Sequence, residues 1–146
     1  MIDFYIAKGK ENMNLSDIGE MLRNTYWAHS RTDEVIEKSL EKSECYGAFL
    51  KGNDKQIGFA RIVTDDVTFF WVCDVVVDEK YRGNGIGKEI MNTIAKEEKY
   101  RNMKGLLATR DAHGLYEKIG FRLIEDSNHM TKQFGRELEP HTKGES

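Results

Sequence analysis

Only two cysteines, Cys45 and Cys73, occur among the 146 residues, and they do not form a CxxC pair. That excludes a disulfide framework and the common zinc and redox spacings, so both thiols are expected to stay reduced, as in a cytoplasm. The four histidines, at 29, 113, 129 and 141, lack ligand spacing, and no metal is expected. One proline and no low-complexity tract exclude collagen-like and proline-rich chains. No run reaches the ~18 apolar residues of a membrane span, and residues 1–10 lack the long apolar core of a secretory leader. A basic stripe is missing too. The 22 basic and 25 acidic residues are interspersed and sum to −3, which argues against nucleic acid as a partner.

What is present is the composition of a globular protein, 39% apolar and 32% charged. A chain of this size can bury one self-sufficient core, so residues 1–134 are expected to form a single domain. Residues 135–146 hold the only proline and few apolar groups, and are expected to be a flexible tail.

The apolar spacing predicts a strand over 2–7 and a helix from Asn14, with Ile18, Met21, Leu22 and Tyr26 on one face and Asn14 with Asp17 as a capping pair. Val35, Ile36 and Leu40 mark a second helix from Asp33. The period then becomes that of sheet. Strands over 44–51, 56–64 and 67–77, joined by short turns, read as an antiparallel meander. The last is apolar nearly throughout and is expected in the middle of the sheet, covered on both faces. Gly85 opens a helix with Ile86, Ile90, Met91 and Ile94 on one side. A strand over 105–109, a short helix over 112–119 stopped by Gly120, a strand over 121–124 and a final strand over 128–134 complete the prediction. This is an α/β (α+β) arrangement: a mixed, mostly antiparallel sheet flanked by helices.

One connection stands out. The long strand runs through Arg82, Gly83, Asn84, Gly85, Ile86, Gly87 and Lys88 straight into a helix. Closely spaced glycines let main chain approach an anion, and the free amides of a helix's first turn point at it, so a phosphate fits there. A P-loop is excluded because the span from Gly83 to Gly87 is one residue short and Glu89 follows Lys88 where a hydroxyl is needed. A dinucleotide fingerprint is excluded because Lys88 takes its third glycine position and the preceding strands are antiparallel.

The remaining pattern, Arg-x-x-Gly-x-Gly at Arg82, Gly85 and Gly87 after the strand ending at Val77, resembles the acetyl-CoA signature of the GNAT superfamily of N-acetyltransferases. A second block, Leu115-Tyr-Glu-Lys-Ile-Gly-Phe121, resembles that family's other signature, and together they cover residues 44–125 in detail. Residues around Tyr26–Arg31 and 109–116 are similar to a branch of small bacterial members; Thr109 stands where the commoner pattern has asparagine. The resemblance implies a GNAT-like sheet with helices on both faces. It also implies an acetyl-CoA-dependent enzyme that acetylates a primary amine of a small molecule or peptide, without metal. Amides from Arg82 to Lys88 would hold the pyrophosphate, and main-chain groups of Val75, Val76 and Val77 would hold pantetheine and the developing oxyanion. The alternatives are a non-catalytic CoA-binding sensor and, more weakly, a nucleotide-phosphate binder.

Tyr116 is the expected acid for the leaving thiolate, since a phenol of pKa about 10 can supply that proton; its competing reading is a core aromatic. Asp74 is a carboxylate in an otherwise apolar strand. With a raised pKa it would take the amine's proton; otherwise it would pair with Arg61 or another arginine. His113 competes as base. Trp27 and Arg31, between the first two helices, are candidates for the acceptor site, where Arg31 would meet an acidic group; a hydrophobic plug and a solvated arginine are the alternative. Exposed strand edges would allow a homodimer.

Overall fold

The computed structural model describes residues 2–125 and 128–132. Contacts separate two compact units, one ending at Leu107 and the other starting at Ala108.

In the first unit five strands pair in sequence order: β1 (Phe4–Lys8), β2 (Glu44–Leu50), β3 (Gln56–Thr64), β4 (Phe69–Val77) and β5 (Lys104–Leu107). The first four are antiparallel, and β5 runs parallel to β4. The helices are α1 (Leu15–Arg23), α2 (Asp33–Glu41) and α3 (Ile86–Ala95). Asn14 accepts the Asp17 amide at 2.9 Å and Thr32 accepts that of Val35 at 3.2 Å, which satisfies the first turns of α1 and α2. The apolar stripes of both helices, through Ile18, Leu22, Ile36 and Leu40, pack with Cys45, Phe59 and Val76 on one face of the sheet. Gly58, one residue from Phe59, faces the other side, where a Cβ would stand 2.9 Å from Ile86 and 3.0 Å from Ile90 of α3. Helices therefore cover both faces, and glycine at 58 lets α3 sit close.

Two expectations for β4 are corrected. β4 lies fourth of five and β3 holds the middle, because β5 adds beyond β4 rather than inserting elsewhere. β4 also starts at Phe69 rather than Val67: the Asp65 carboxylate accepts the amides of Val67 and Thr68 at 2.9 and 2.7 Å and keeps them in the turn.

In the second unit α4 (His113–Glu117) is followed by a turn that closes, as expected, at Gly120, whose φ is 99°. The amides of Gly120 and Phe121 return to the carbonyls of Glu117 and Tyr116 at 3.2 and 3.1 Å, a Schellman closure. The strand expected over 121–124 is not formed, since the Phe121 amide is spent on that closure, and 128–132 is not strand either. The rest of the expected last strand, and the tail over 135–146, lie outside the described residues.

Candidate active site

The turn between β4 and α3 combines left-handed glycines with a helix start that no side chain caps. Gly83 and Gly85 take φ of 83° and 74°, where a side chain is costly, and a Cβ at either would meet nothing within 4 Å. The Asn84 amide group bonds the Tyr81 carbonyl at 2.8 Å and the Arg82 carbonyl at 3.3 Å, fixing the loop from within. Gly85 is the N-cap of α3 and offers no side chain to its amides; the first helical bond is Glu89 N–H to the Gly85 carbonyl. The amides of Ile86, Gly87 and Lys88 are thus left open at the positive end of a ten-residue helix. Ile86 itself is buried and anchors the turn.

The strand leading to this turn is open along one edge. Pairing with β5 runs only from Phe69 opposite Lys104 to Val72 opposite Leu107. Beyond Val72 no described strand pairs with β4 on that side, so the main chain of residues 73–77, including Val75, Val76 and Val77, has no strand partner there. On its other side β4 bulges. Phe59 pairs with Val76 and Arg61 with Cys73, so Asp74 and Val75 together oppose Ala60. Asp74 takes a φ of 52°, a left-handed conformation that Asp tolerates better than most residues.

The bulge aims Asp74 at a cationic cluster. Its Oδ2 accepts from Arg31 Nη1 at 2.7 Å and Arg61 Nε at 2.9 Å, and its Oδ1 accepts from Trp27 Nε1 at 3.2 Å. The carboxylate side chain is 3% exposed, Arg61 15% and Arg31 28%. Arg61 is steadied by Ser43 Oγ at 3.1 Å, which in turn donates to the Ser39 carbonyl. Trp27 is set by the loop after α1: Thr25 Oγ1 donates to the Leu22 carbonyl and accepts the Ala28 amide, which draws Ala28 into the core and leaves Trp27 over Asp74. Burial alone would push the Asp74 carboxyl up. The Arg31 hydrogen bond and the charge and hydrogen bond of Arg61 outweigh it and hold the group below the ordinary carboxylate range. The raised value expected of a proton acceptor is therefore reversed, and the alternative pairing with Arg61 is what is found. Of the residues singled out in sequence, Trp27, Arg31 and Asp74 meet.

The family described as the acetyltransferase (GNAT) domain matches residues 41–123. The chain belongs to the GNAT family of acetyltransferases. A GNAT-family protein from Xanthomonas campestris is 27% identical and superposes with a TM-score of 0.82 over 92% of this chain and 94% of the other. A GNAT-family acetyltransferase from Streptococcus pneumoniae is 26% identical with a TM-score of 0.72, over 91% and 99%. An uncharacterized N-acetyltransferase of Porphyra purpurea is 27% identical over 90% of this chain and 76% of its own length. The expectation of an N-acetyltransferase therefore holds, and the fold is that of the GNAT neighbours. Relatives in algae and fungi extend the family beyond the bacterial branch. No described helix is long and apolar enough to cross a membrane, and the described residues hold no metal-binding cluster of His, Cys, Asp or Glu.

Within the second unit the other GNAT signature lies on α4. Tyr116 is buried, its ring edge-on to Phe121 at 6.2 Å. Burial, with the Asp111 carboxylate adding to it, pushes its phenol up to about 12, so it keeps its proton at neutral pH. His113 Nε2 is buried and has no hydrogen-bond partner among the described residues. Sequence reasoning named Arg61 only as a partner for Asp74 and missed Ser43; period-two alternation put Arg61 on a face, but only the pairing with β4 brings it to the carboxylate. Cys73, beside the bulge, has its thiol pushed up by burial and is no ready nucleophile.

Proposed function

We propose that this GNAT chain transfers the acetyl group of acetyl-CoA directly to a primary amine of a small molecule or peptide, with residues 1–134 acting as one catalytic domain. The observation that carries this reading is the continuity of an open strand edge over 73–77 with three open amides at the start of α3. That combination suits a ligand with an amide-bearing arm and a diphosphate.

In this reading the main chain of Val75, Val76 and Val77 pairs with the pantetheine arm as an added strand would. The amides of Ile86, Gly87 and Lys88, with Arg82, Gly83, Asn84 and Gly85 shaping the loop, hold the pyrophosphate. Bound acetyl-CoA supplies a thioester: the amine nitrogen bonds to its carbonyl carbon, the C–S bond breaks and the thiolate departs with a proton. Tyr116 supplies that proton from its hydroxyl, and the proton that the attacking nitrogen sheds as the amide forms returns to Tyr116 through water. An amide at Val75 or Val76 meets the charge that develops on the carbonyl oxygen. The ammonium loses its proton to water before attack, because Asp74 is already committed to two arginines. Asp74, Arg31 and Trp27 instead frame the acceptor, and alignment of the two substrates contributes much of the rate.

The test is calorimetric titration with CoA and acetyl-CoA followed by free-thiol release across an amine panel. Saturable binding and amine-dependent thiol release are expected. Binding without turnover on any amine would favour a CoA sensor, and no heat at millimolar CoA would end the proposal.

A further inference from the structure

We infer that the acceptor amine carries an anionic group, carboxylate or phosphate, which is received by the guanidinium of Arg31 with Arg61 behind it. This rests on the acetyl-transfer reading above and names the acceptor class.

The charge balance of the cluster carries it. Two guanidinium groups converge on one oxygen, Oδ2 of Asp74, while Oδ1 takes only the neutral indole of Trp27. One carboxylate against two arginines leaves a positive charge over, and among the described residues neither arginine has a second carboxylate within ion-pair distance. Ser43 gives Arg61 an uncharged oxygen and cancels nothing. Arg31 uses Nη1 alone, so the rest of its five-donor fork has no partner among the described residues. A largely buried surplus charge is costly unless an anion meets it, and the planar fork suits the paired oxygens of carboxylate or phosphate.

Position supports the assignment. Asp74 sits on the bulge two residues past the last β4–β5 pair, Val72 with Leu107, so the cluster it holds lies where β4 has no strand partner on that side. Trp27, 43% exposed, and Tyr26, 52% exposed, meet edge-on at 5.0 Å next to it. They give the carbon skeleton of an amine an apolar wall.

The chain has two tryptophans, so the indole N–H signal of Trp27, assigned with a Trp27→Phe variant, is a clear reporter. Protein saturated with CoA, which fills the amides of α3, is titrated with inorganic phosphate and separately with acetate. A saturable shift of the Trp27 signal with Kd on the order of millimolar is expected. It should weaken about tenfold or more in Arg31→Leu and less in Arg31→Lys. The stronger anion separates phosphate from carboxylate acceptors. No saturable shift, or the same shift in Arg31→Leu, overturns the inference. In turnover, kcat/KM for O-phosphoethanolamine over ethanolamine, or β-alanine over propylamine, should exceed about tenfold; ratios near one in both pairs also overturn it. Should CoA fail to bind, the acetyl-transfer reading falls alone, since the CoA-free protein still tests the anion site through Arg31→Leu.

Discussion

Replacing Gly85 with alanine separates the cost of the backbone from the cost to a ligand. Gly85 holds φ at 74° as the N-cap of α3, and a Cβ there meets nothing within 4 Å. The folded protein therefore accepts the methyl sterically and suffers only the left-handed penalty, about 1–2 kcal/mol. For a domain of this size that lowers Tm by about 2–4 °C per kcal/mol. The methyl stands in the open space before the helix, and affinity for CoA should fall about tenfold or more, a loss of roughly 1.4 kcal/mol in binding. Gly52, in the turn between β2 and β3, is the matched control: its φ is 102° and its Cβ would also meet nothing within 4 Å. Gly52→Ala should show a similar fall in Tm with CoA binding unchanged. Thermal unfolding and calorimetric titration of the two variants decide the matter. Equal CoA affinity in both would refute the idea that the amides after Gly85 hold the pyrophosphate.

Tyr116→Phe should lower kcat by about 10²- to 10⁴-fold with little change in CoA affinity, and unchanged turnover would remove Tyr116 from the chemistry. Because its phenol is pushed up to about 12, the parent enzyme should show no alkaline loss attributable to Tyr116 near pH 10, where an ordinary tyrosine would ionise; a rate profile to pH 10.5 checks this. Asp74→Asn leaves Arg31 and Arg61 facing each other without their anion, and should cost about 2–4 kcal/mol in urea unfolding. The folded-state pKa of Asp74 is lowered, so its contribution is fully present above the unfolded value of about 3.9 and is lost as pH falls through the folded one. Urea midpoints between pH 7 and 3 should therefore lose an acid-labile part in the parent that Asp74→Asn lacks.

The helices were legible because their stripes obey one period: Ile18, Met21 and Leu22, or Ile86, Ile90 and Ile94, are buried where spacing alone put them. The turn over 82–88 was legible for another reason, since glycines at positive φ leave a mark in composition. Strand limits were harder. Val67 is apolar and reads as strand, but it is 72% exposed because the Asp65 carboxylate captures its amide, a competition that hydrophobic pattern does not register. Phe121 reads as strand too, and loses its amide to the closure of α4.

Asp74 shows the deeper limit. Its type and its apolar neighbours marked it as an anomaly, and pairing with Arg61 was foreseeable, whereas its bond to Arg31 spans 43 positions and leaves no local trace. Nor does the bulge, which adds one residue to β4 without a glycine to announce it. In a regular strand Asp74 would point away from the face of Cys73, its neighbour, and of Arg61, which pairs with Cys73. The extra residue turns the carboxylate onto that face, where α1 and α2 pack and where Arg31 and Trp27 wait. Pairing with β5 ends one residue before Cys73. A single irregularity on the β3 side thus gathers the arginines around Asp74, two residues past the point where pairing with β5 ends. Deleting one residue of β4 to remove the bulge should pull Asp74 away from both arginines, whereas substituting Arg31 should leave the Asp74–Arg61 pair in place.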